Sequence, residues 1–208
     1  MFANIFLSLI TAAILTCAGS LWIDKLYMNN LDLTFPKRIS SRARFRKPIL
    51  FFALTTFNFK ILSSTTIPEN FFLIAAIFLL MLMTLTDFEQ YMLFDAMTLP
   101  LAIIGAIYCW QMNLNFLDHG AATLIGGGIF LLLALITRGA LGGGDIKLIA
   151  ALGLWLGCAK LLNVVLIGSI AGGIAAIIIL IAKKKNRKSY FAYGPYFALS
   201  AIYFLLLK

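Results

Sequence analysis

The sequence predicts an all-α, polytopic integral membrane protein with about eight transmembrane helices. Three observations carry this. First, 62% of the 208 residues are apolar and 12% are charged, with a mean hydropathy of +0.98; soluble domains average about 45–50% apolar and about 25% charged. Second, the apolar runs are long and continuous, approaching the ~20 residues that a spanning helix needs. Only helices and closed barrels satisfy their backbone in lipid, and the ~10-residue alternation of a membrane barrel is missing. Third, Lys and Arg are distributed unevenly between the segments that join these runs. An ordinary water-soluble globule, a disordered chain and a disulfide-rich module are excluded.

Spans are expected at roughly 3–22, 48–62, 70–86, 97–112, 120–137, 146–160, 162–182 and 190–207. Residues Met1 to Ile5 carry no basic side chain, so the first span is expected to stay in the protein. The second is the weakest, being short, carrying Asn58 and ending at Lys60. With the N-terminus outside, the inner segments are 23–47, 87–96, 138–147 and 183–189, and they hold most of the 17 basic residues. The outer side keeps Lys60, Lys160 and Lys208. That asymmetry fixes the orientation. It also supports the second span, because deleting it would turn the basic "KKKNRK" segment away from the first basic loop. The chain reads as one membrane-embedded domain, 1–208, with 23–47 as a short basic cytoplasmic loop. The net charge of +9 then belongs to membrane topology and lipid headgroups, with no nucleic-acid partner expected.

Cys17, Cys109 and Cys158 lie singly inside apolar runs, and His119 is the sole histidine. A structural zinc site needs about four such ligands at close spacing. The paired small residues of "GLWLG" and "GSIAG" fit close helix packing.

The acids carry more information. Asp87, Glu89, Asp95 and Asp145 all lie at the inner ends of apolar runs. An ionisable group there costs several kcal/mol unless it is paired or wet, which makes it a functional candidate. In "TDFEQYMLFDAMTLP", Asp87 follows the run "FFLIAAIFLLMLMTLT"; 88–94 reads as a short inner loop, and Thr98 with Pro100 reads as the next helix start. An acid at a helix C-terminus opposes the dipole, so stability does not favour Asp87 where it is. In "RGALGGGDIKLIAALGLWLG", Gly142, Gly143 and Gly144 lead into Asp145 at a helix N-terminus. A simple capping role fits Asp145 equally well. A phosphate loop does not, since no G-x-x-x-x-G-K-[ST] pattern is present. Lys147 either adds positive charge beside Asp145 or snorkels to phospholipid headgroups.

The topology puts Asp87 and Asp145 on one side of the membrane. Two carboxylates that approach each other cannot both ionise easily, which leaves one acid and one base near neutral pH. That is the chemistry of an aspartic protease. Glu89 and Asp95 are candidates to receive a basic substrate segment, and Asp95 also fits a plain helix-start role.

These residues resemble the type IV prepilin leader peptidases, a family of membrane aspartic proteases. "GGGDIKLIAALGLWLG" is similar to the family's G-x-G-D signature. "DFEQYMLFDAMTLP" is similar to its other signature, in which a second acid follows eight residues later, as Asp95 follows Asp87, although Phe94 stands where the family usually has proline. "GSLWIDKLY" and "YGPYFALSA" resemble the ends of its first and last spans. The resemblance implies Asp87 and Asp145 as the catalytic pair, with Gly142 and Gly144 shaping the loop. It also implies a prepilin or pseudopilin substrate with a basic leader, cut at the cytoplasmic face of the bacterial inner membrane. Many members then methylate the new N-terminus with S-adenosylmethionine. Larger members bind zinc through two C-x-x-C pairs in the first inner loop; residues 23–47 contain no cysteine, so no zinc is expected, and S-adenosylmethionine enters only where methylation is retained. Two other classes share some of these features. A proton-coupled carrier also buries carboxylates, but no internal repeat is evident and the acids cluster at one face. An inactive pilus or secretion scaffold would not need both aspartates.

Overall fold

A computed structural model describes residues 2–30, 33–138, 141–183 and 191–207. Lys184, Lys185, Arg187, Lys188 and Lys208, which enter the charge argument above, lie outside the described residues. All the regular structure described is helical: α1 (Phe2–Asn29), α2 (Ile39–Arg42), α3 (Arg46–Ser64), α4 (Ile67–Gln90), α5 (Asp95–Gln111), α6 (Phe116–Ile136), α7 (Gly143–Lys183) and α8 (Gly194–Leu206). Among the described residues, α1, α4, α6 and α7 are long and apolar enough to cross a membrane. These criteria do not establish the expected count of about eight.

Helix α4 is the hub. Pro68 and Glu69 sit in its first turn, where a missing N–H costs nothing and an acid meets the positive end of the dipole. It is 72% buried over its span, against 28% or less for the other three. The neighbouring helices supply the packing that lipid cannot. α3 and α1 run antiparallel on one side: Asn4 Nδ2 donates to Leu62 O at 3.1 Å and Asn58 Nδ2 to Thr11 Oγ1 at 3.1 Å. The asparagine that weakened the second span as a sequence is fully buried against α1. On the other side α5 and α8 pack on α4, and α7 packs on both of them and on α6.

Helix α7 is two helices joined at Gly157, whose φ of 68° and ψ of 178° interrupt the helix. Only glycine takes that conformation without strain. Both halves lie on α6, since Ile149 and Leu161 meet at Gly126. The chain therefore folds back as a hairpin, as the separate spans 146–160 and 162–182 require. Asp118 fastens the reversal, accepting from the Cys158 N–H at 3.3 Å. The second glycine of "GLWLG" thus makes a turn, while the first, Gly153, admits the α6 backbone at Ala122 and Thr123. In "GSIAG", Gly168 admits Phe197 and Gly172 admits Tyr193.

Three boundaries differ from the sequence expectation. α1 continues to Asn29 and α3 begins at Arg46, so the basic loop 23–47 shrinks to a connection containing α2 and two short 3-10 turns, Pro36–Arg38 and Ala43–Phe45. The extra turns of α1 carry Asp24 and Tyr27, which contact Arg46 and Glu89; tertiary contacts hold helix where composition suggests loop. α4 runs through Gln90 and stops because Tyr91 adopts a left-handed conformation, φ 55° and ψ 40°, so the loop is only 91–94. α5 starts at Asp95, not at Thr98, and Pro100 lies inside it. Thr98 Oγ1 donates back to Phe94 O at 3.2 Å and does not cap. Trp155 Nε1 donates to Leu101 O at 2.9 Å, packing α7 onto α5 just beyond the proline.

Candidate active site

Three helix ends meet at one end of the bundle. The last turn of α4 brings Asp87, which is 6% exposed. α7 brings Asp145 in its first turn, and α8 begins at Gly194 with Pro195 in its first turn. Pro is preorganised for that position. The last turn of α4 stays helical because the Tyr91 N–H donates to Asp87 O at 2.9 Å.

The structure brings Asp87 and Asp145 together. Leu93 packs on Gly144, the residue before Asp145, and on Gly194, which itself lies against Asp87 Oδ2. Both acids face helix N-termini, where backbone N–H groups favour negative charge. A Cβ on Gly194 would lie 2.8 Å from Asp87 Oδ2, so glycine permits the approach. Asp145 Oδ1 is buried and has no hydrogen-bond partner. An unpaired buried oxygen is costly and therefore suited to receive an incoming donor.

Gly142 and Gly144 lie in the turn that leads into Asp145. Gly142 O accepts from the Asp145 N–H at 3.1 Å, forming the turn into α7. A Cβ on Gly144 would lie 2.7 Å from Leu93 Cβ, and Leu93 also packs on Gly194. Leu93 thus wedges between the starts of α7 and α8. Nothing in the sequence pattern marks it, since a single leucine in a short loop carries no periodic signal.

Two expected roles are corrected. Glu89 is not available to a substrate. It is 4% exposed and held by Arg46, with Nε to Oε1 at 2.9 Å and Nη2 to Oε2 at 2.6 Å, and by the Tyr27 hydroxyl at 3.0 Å. Glu89 lies on the helical last turn of α4, on the side away from Asp87. Lys147 does not reach for headgroups. Its Nζ donates to both oxygens of Asp95 at 2.7 Å, because α5 and α7 start side by side. Both partners of this pair remain 56% exposed.

Arg46 was invisible to sequence reasoning as anything but one cation of a basic segment. It is 3% exposed and also donates to Asp24 Oδ1 at 2.5 Å. Burial opposes its charge, but the hydrogen bonds to Glu89 and Asp24 outweigh this and hold its pKa above the ordinary arginine value. Arg42 of the same segment donates to Phe88 O at 2.6 Å and stacks 4.2 Å from the Phe35 ring. Both cations thus bond within the protein.

An open cleft of about 480 Å³ lies beside the carboxylates, walled by Leu93, Phe94, Asp95, Gly143, Gly144 and Lys147. An apolar groove of about 250 Å³ continues between α5, α6 and α7, and it shares the Asp95–Lys147 pair as its rim. Among the described residues, no group of three or more His, Cys, Asp or Glu side chains is placed to hold a metal ion.

Comparison with known proteins identifies the family. A family model described as the type IV leader peptidase family matches residues 73–177, half of the chain. The chain is 36% identical over 129 residues to a prepilin leader peptidase/N-methyltransferase of Neisseria gonorrhoeae, covering 59% of this chain and 43% of the relative. It is 34% identical over 137 residues to the protein of that name from Legionella pneumophila, covering 63% and 48%. A Pectobacterium carotovorum protein of that name is 30% identical over 135 residues, covering 62% and 48%. The chain thus aligns with just under half the length of these relatives. No solved structure matches it.

Proposed function

The chain belongs to the type IV leader peptidase family, and from that premise we propose that it is a membrane aspartic endopeptidase that removes the basic leader from type IV prepilins or pseudopilins at the cytoplasmic face of the inner membrane. One observation carries the reading: Asp87 and Asp145, 58 positions apart in the sequence, stand at the same end of the bundle, where Leu93 packs on both Gly144, next to Asp145, and Gly194, which lies against Asp87 Oδ2.

In this mechanism the two carboxylates share a proton. The ionised one removes a proton from a water as the water oxygen attacks the scissile carbonyl carbon. The neutral one donates its proton to the carbonyl oxygen. The tetrahedral intermediate then collapses: one hydroxyl returns its proton to the carboxylate that acted as acid, the C–N bond breaks, and the departing nitrogen takes up the proton first removed from water. Asp145 Oδ1, buried and without a hydrogen-bond partner, is the acceptor for a water admitted with the substrate. Gly194 packs against Asp87 Oδ2. Asp95 is the acid left at the cleft to meet a basic leader, and the apolar groove below it suits the helix that follows the leader. N-Methylation stands in the names of the relatives; the proposal for this chain is the peptidase, whose chemistry needs no cofactor.

The test is co-expression with a candidate prepilin, following leader removal by gel mobility. Wild type is expected to process the substrate. Asp87→Asn and Asp145→Asn, each recovered in the membrane, are expected to lose at least about a hundredfold in rate. Processing retained by either variant would reject the assignment.

A further inference from the structure

Asp87 and Glu89 share the last turn of α4 but serve different partners. Side chains two positions apart on a helix point about 200° apart. Asp87 faces the starts of α7 and α8, while Glu89 faces α1 and α3. On that second side Arg46 grips both Glu89 oxygens, at 2.9 and 2.6 Å, and reaches α1 through Asp24 at 2.5 Å and Ser20 O at 3.3 Å. Tyr27 adds a third bond to Glu89 at 3.0 Å.

We infer that Arg46 is a positioning residue for Asp87: by clamping Glu89 to α1 and α3, it sets the rotation of the last turn of α4 and with it the placement of Asp87 against Asp145 and Gly194. The inference rests on the reading of Asp87 and Asp145 as the reacting pair.

The last turn of a helix is where such a clamp matters. Its carbonyls lack helical partners and it frays first. An acid there opposes the dipole, so Asp87 and Glu89 both weaken the turn that carries them. Phe35, Arg42 and Arg46, from the connection after α1 and the start of α3, offset this at three successive residues. Arg42 donates to Phe88 O at 2.6 Å, Arg46 pairs Glu89, and the Phe35 N–H donates to Gln90 Oε1 at 2.8 Å. Buried ion pairs give little net stability, because desolvation consumes most of the attraction. What a two-pronged guanidinium–carboxylate pair supplies is direction. Here that direction is transmitted through one rigid turn to a carboxylate whose opposite neighbour, Gly194, leaves no room for drift.

The test measures prepilin cleavage by purified protein in detergent, with rates normalised to folded enzyme, for wild type, Arg46→Gln, Arg46→Lys, Tyr27→Phe and Asp87→Asn. Arg46→Gln is expected to lower kcat about tenfold or more, since small misplacements of reacting groups are costly, with KM within about twofold. Arg46→Lys is expected to recover part of that loss, keeping the charge but not the fork. A purely structural role would reduce the yield of folded enzyme and leave kcat per folded molecule unchanged, and that result in Arg46→Gln overturns the inference. Should Arg46→Gln fail to fold, Arg46→Lys and Tyr27→Phe decide: lowered kcat at unchanged KM supports the inference, and wild-type kcat in both overturns it. Processing retained by Asp87→Asn would bring down the underlying reading; a dead Asp87→Asn beside unimpaired Arg46 variants would remove the positioning role alone.

Discussion

Gly194 at the start of α8 meets the Asp87 carboxylate at a separation that admits no side chain: a Cβ there would stand 2.8 Å from Oδ2 and 3.2 Å from Leu93 Cδ1. The backbone contact that steadies Asp87 therefore depends on the residue being glycine. Gly194→Ala is expected to push α8 away from α4 and lower the cleavage rate about tenfold or more, the scale on which misplaced catalytic groups lose rate. Gly173→Ala is the control. It lies in the helix facing α8, a Cβ there meets nothing within 4 Å, and its cleavage rate is expected to match wild type. Cleavage kinetics of the two purified variants check the pair.

Helix–helix contact inside a membrane relies on close packing, since lipid is as apolar as the side chains. Gly153 illustrates this. A Cβ there would come within 2.6 Å of Thr123 Cα and 2.8 Å of Ala122 C, and backbone cannot swing aside as a side chain can. Gly153→Ala is expected to destabilise the fold by about 1–3 kcal/mol. Gly128→Ala, on α6 where a Cβ meets open space, is expected to stabilise by about 0.5–1 kcal/mol through helix propensity. Equilibrium unfolding in mixed micelles reads both, and equal stabilities would count against the packing argument.

The exposed Asp95–Lys147 pair contributes differently. With both side chains 56% exposed, its removal by Asp95→Asn is expected to cost no more than about 1 kcal/mol. Substrate recognition is where the change appears. Asp95→Asn is expected to raise KM several-fold, on the order of one rim charge, for a substrate with a basic leader. For a substrate whose leader is neutralised, KM is expected not to move. Steady-state kinetics on the two substrates, at low and high salt, check this.

How far the sequence reaches is visible in the site itself. Asp87, Asp145, Gly142 and Gly144 are legible because each stands at a break in an apolar run, where an acid or a glycine is conspicuous against its neighbours. Glu89 and Lys147 are equally conspicuous, yet their partners are not. Arg46 lies 43 residues from Glu89, and Asp95 lies 52 residues from Lys147. A charge in a row of charges carries no mark of which opposite charge it will meet. Glu89, read from its neighbourhood as a leader contact, is for that reason a buried anchor.

The membrane-helical class follows from the sequence alone, because lipid leaves an uninterrupted apolar run no other way to satisfy its backbone. The side of the bilayer expected for the acids follows from the placement of Lys and Arg. Tertiary structure decided the rest: that α4 extends through Gln90, that Gly157 reverses α7, that Leu93 separates two helix starts, and that Arg46 ties α4 to α1. Each depends on groups from distant parts of the chain coming within bonding or contact distance, and such distances exist only once the helices have packed.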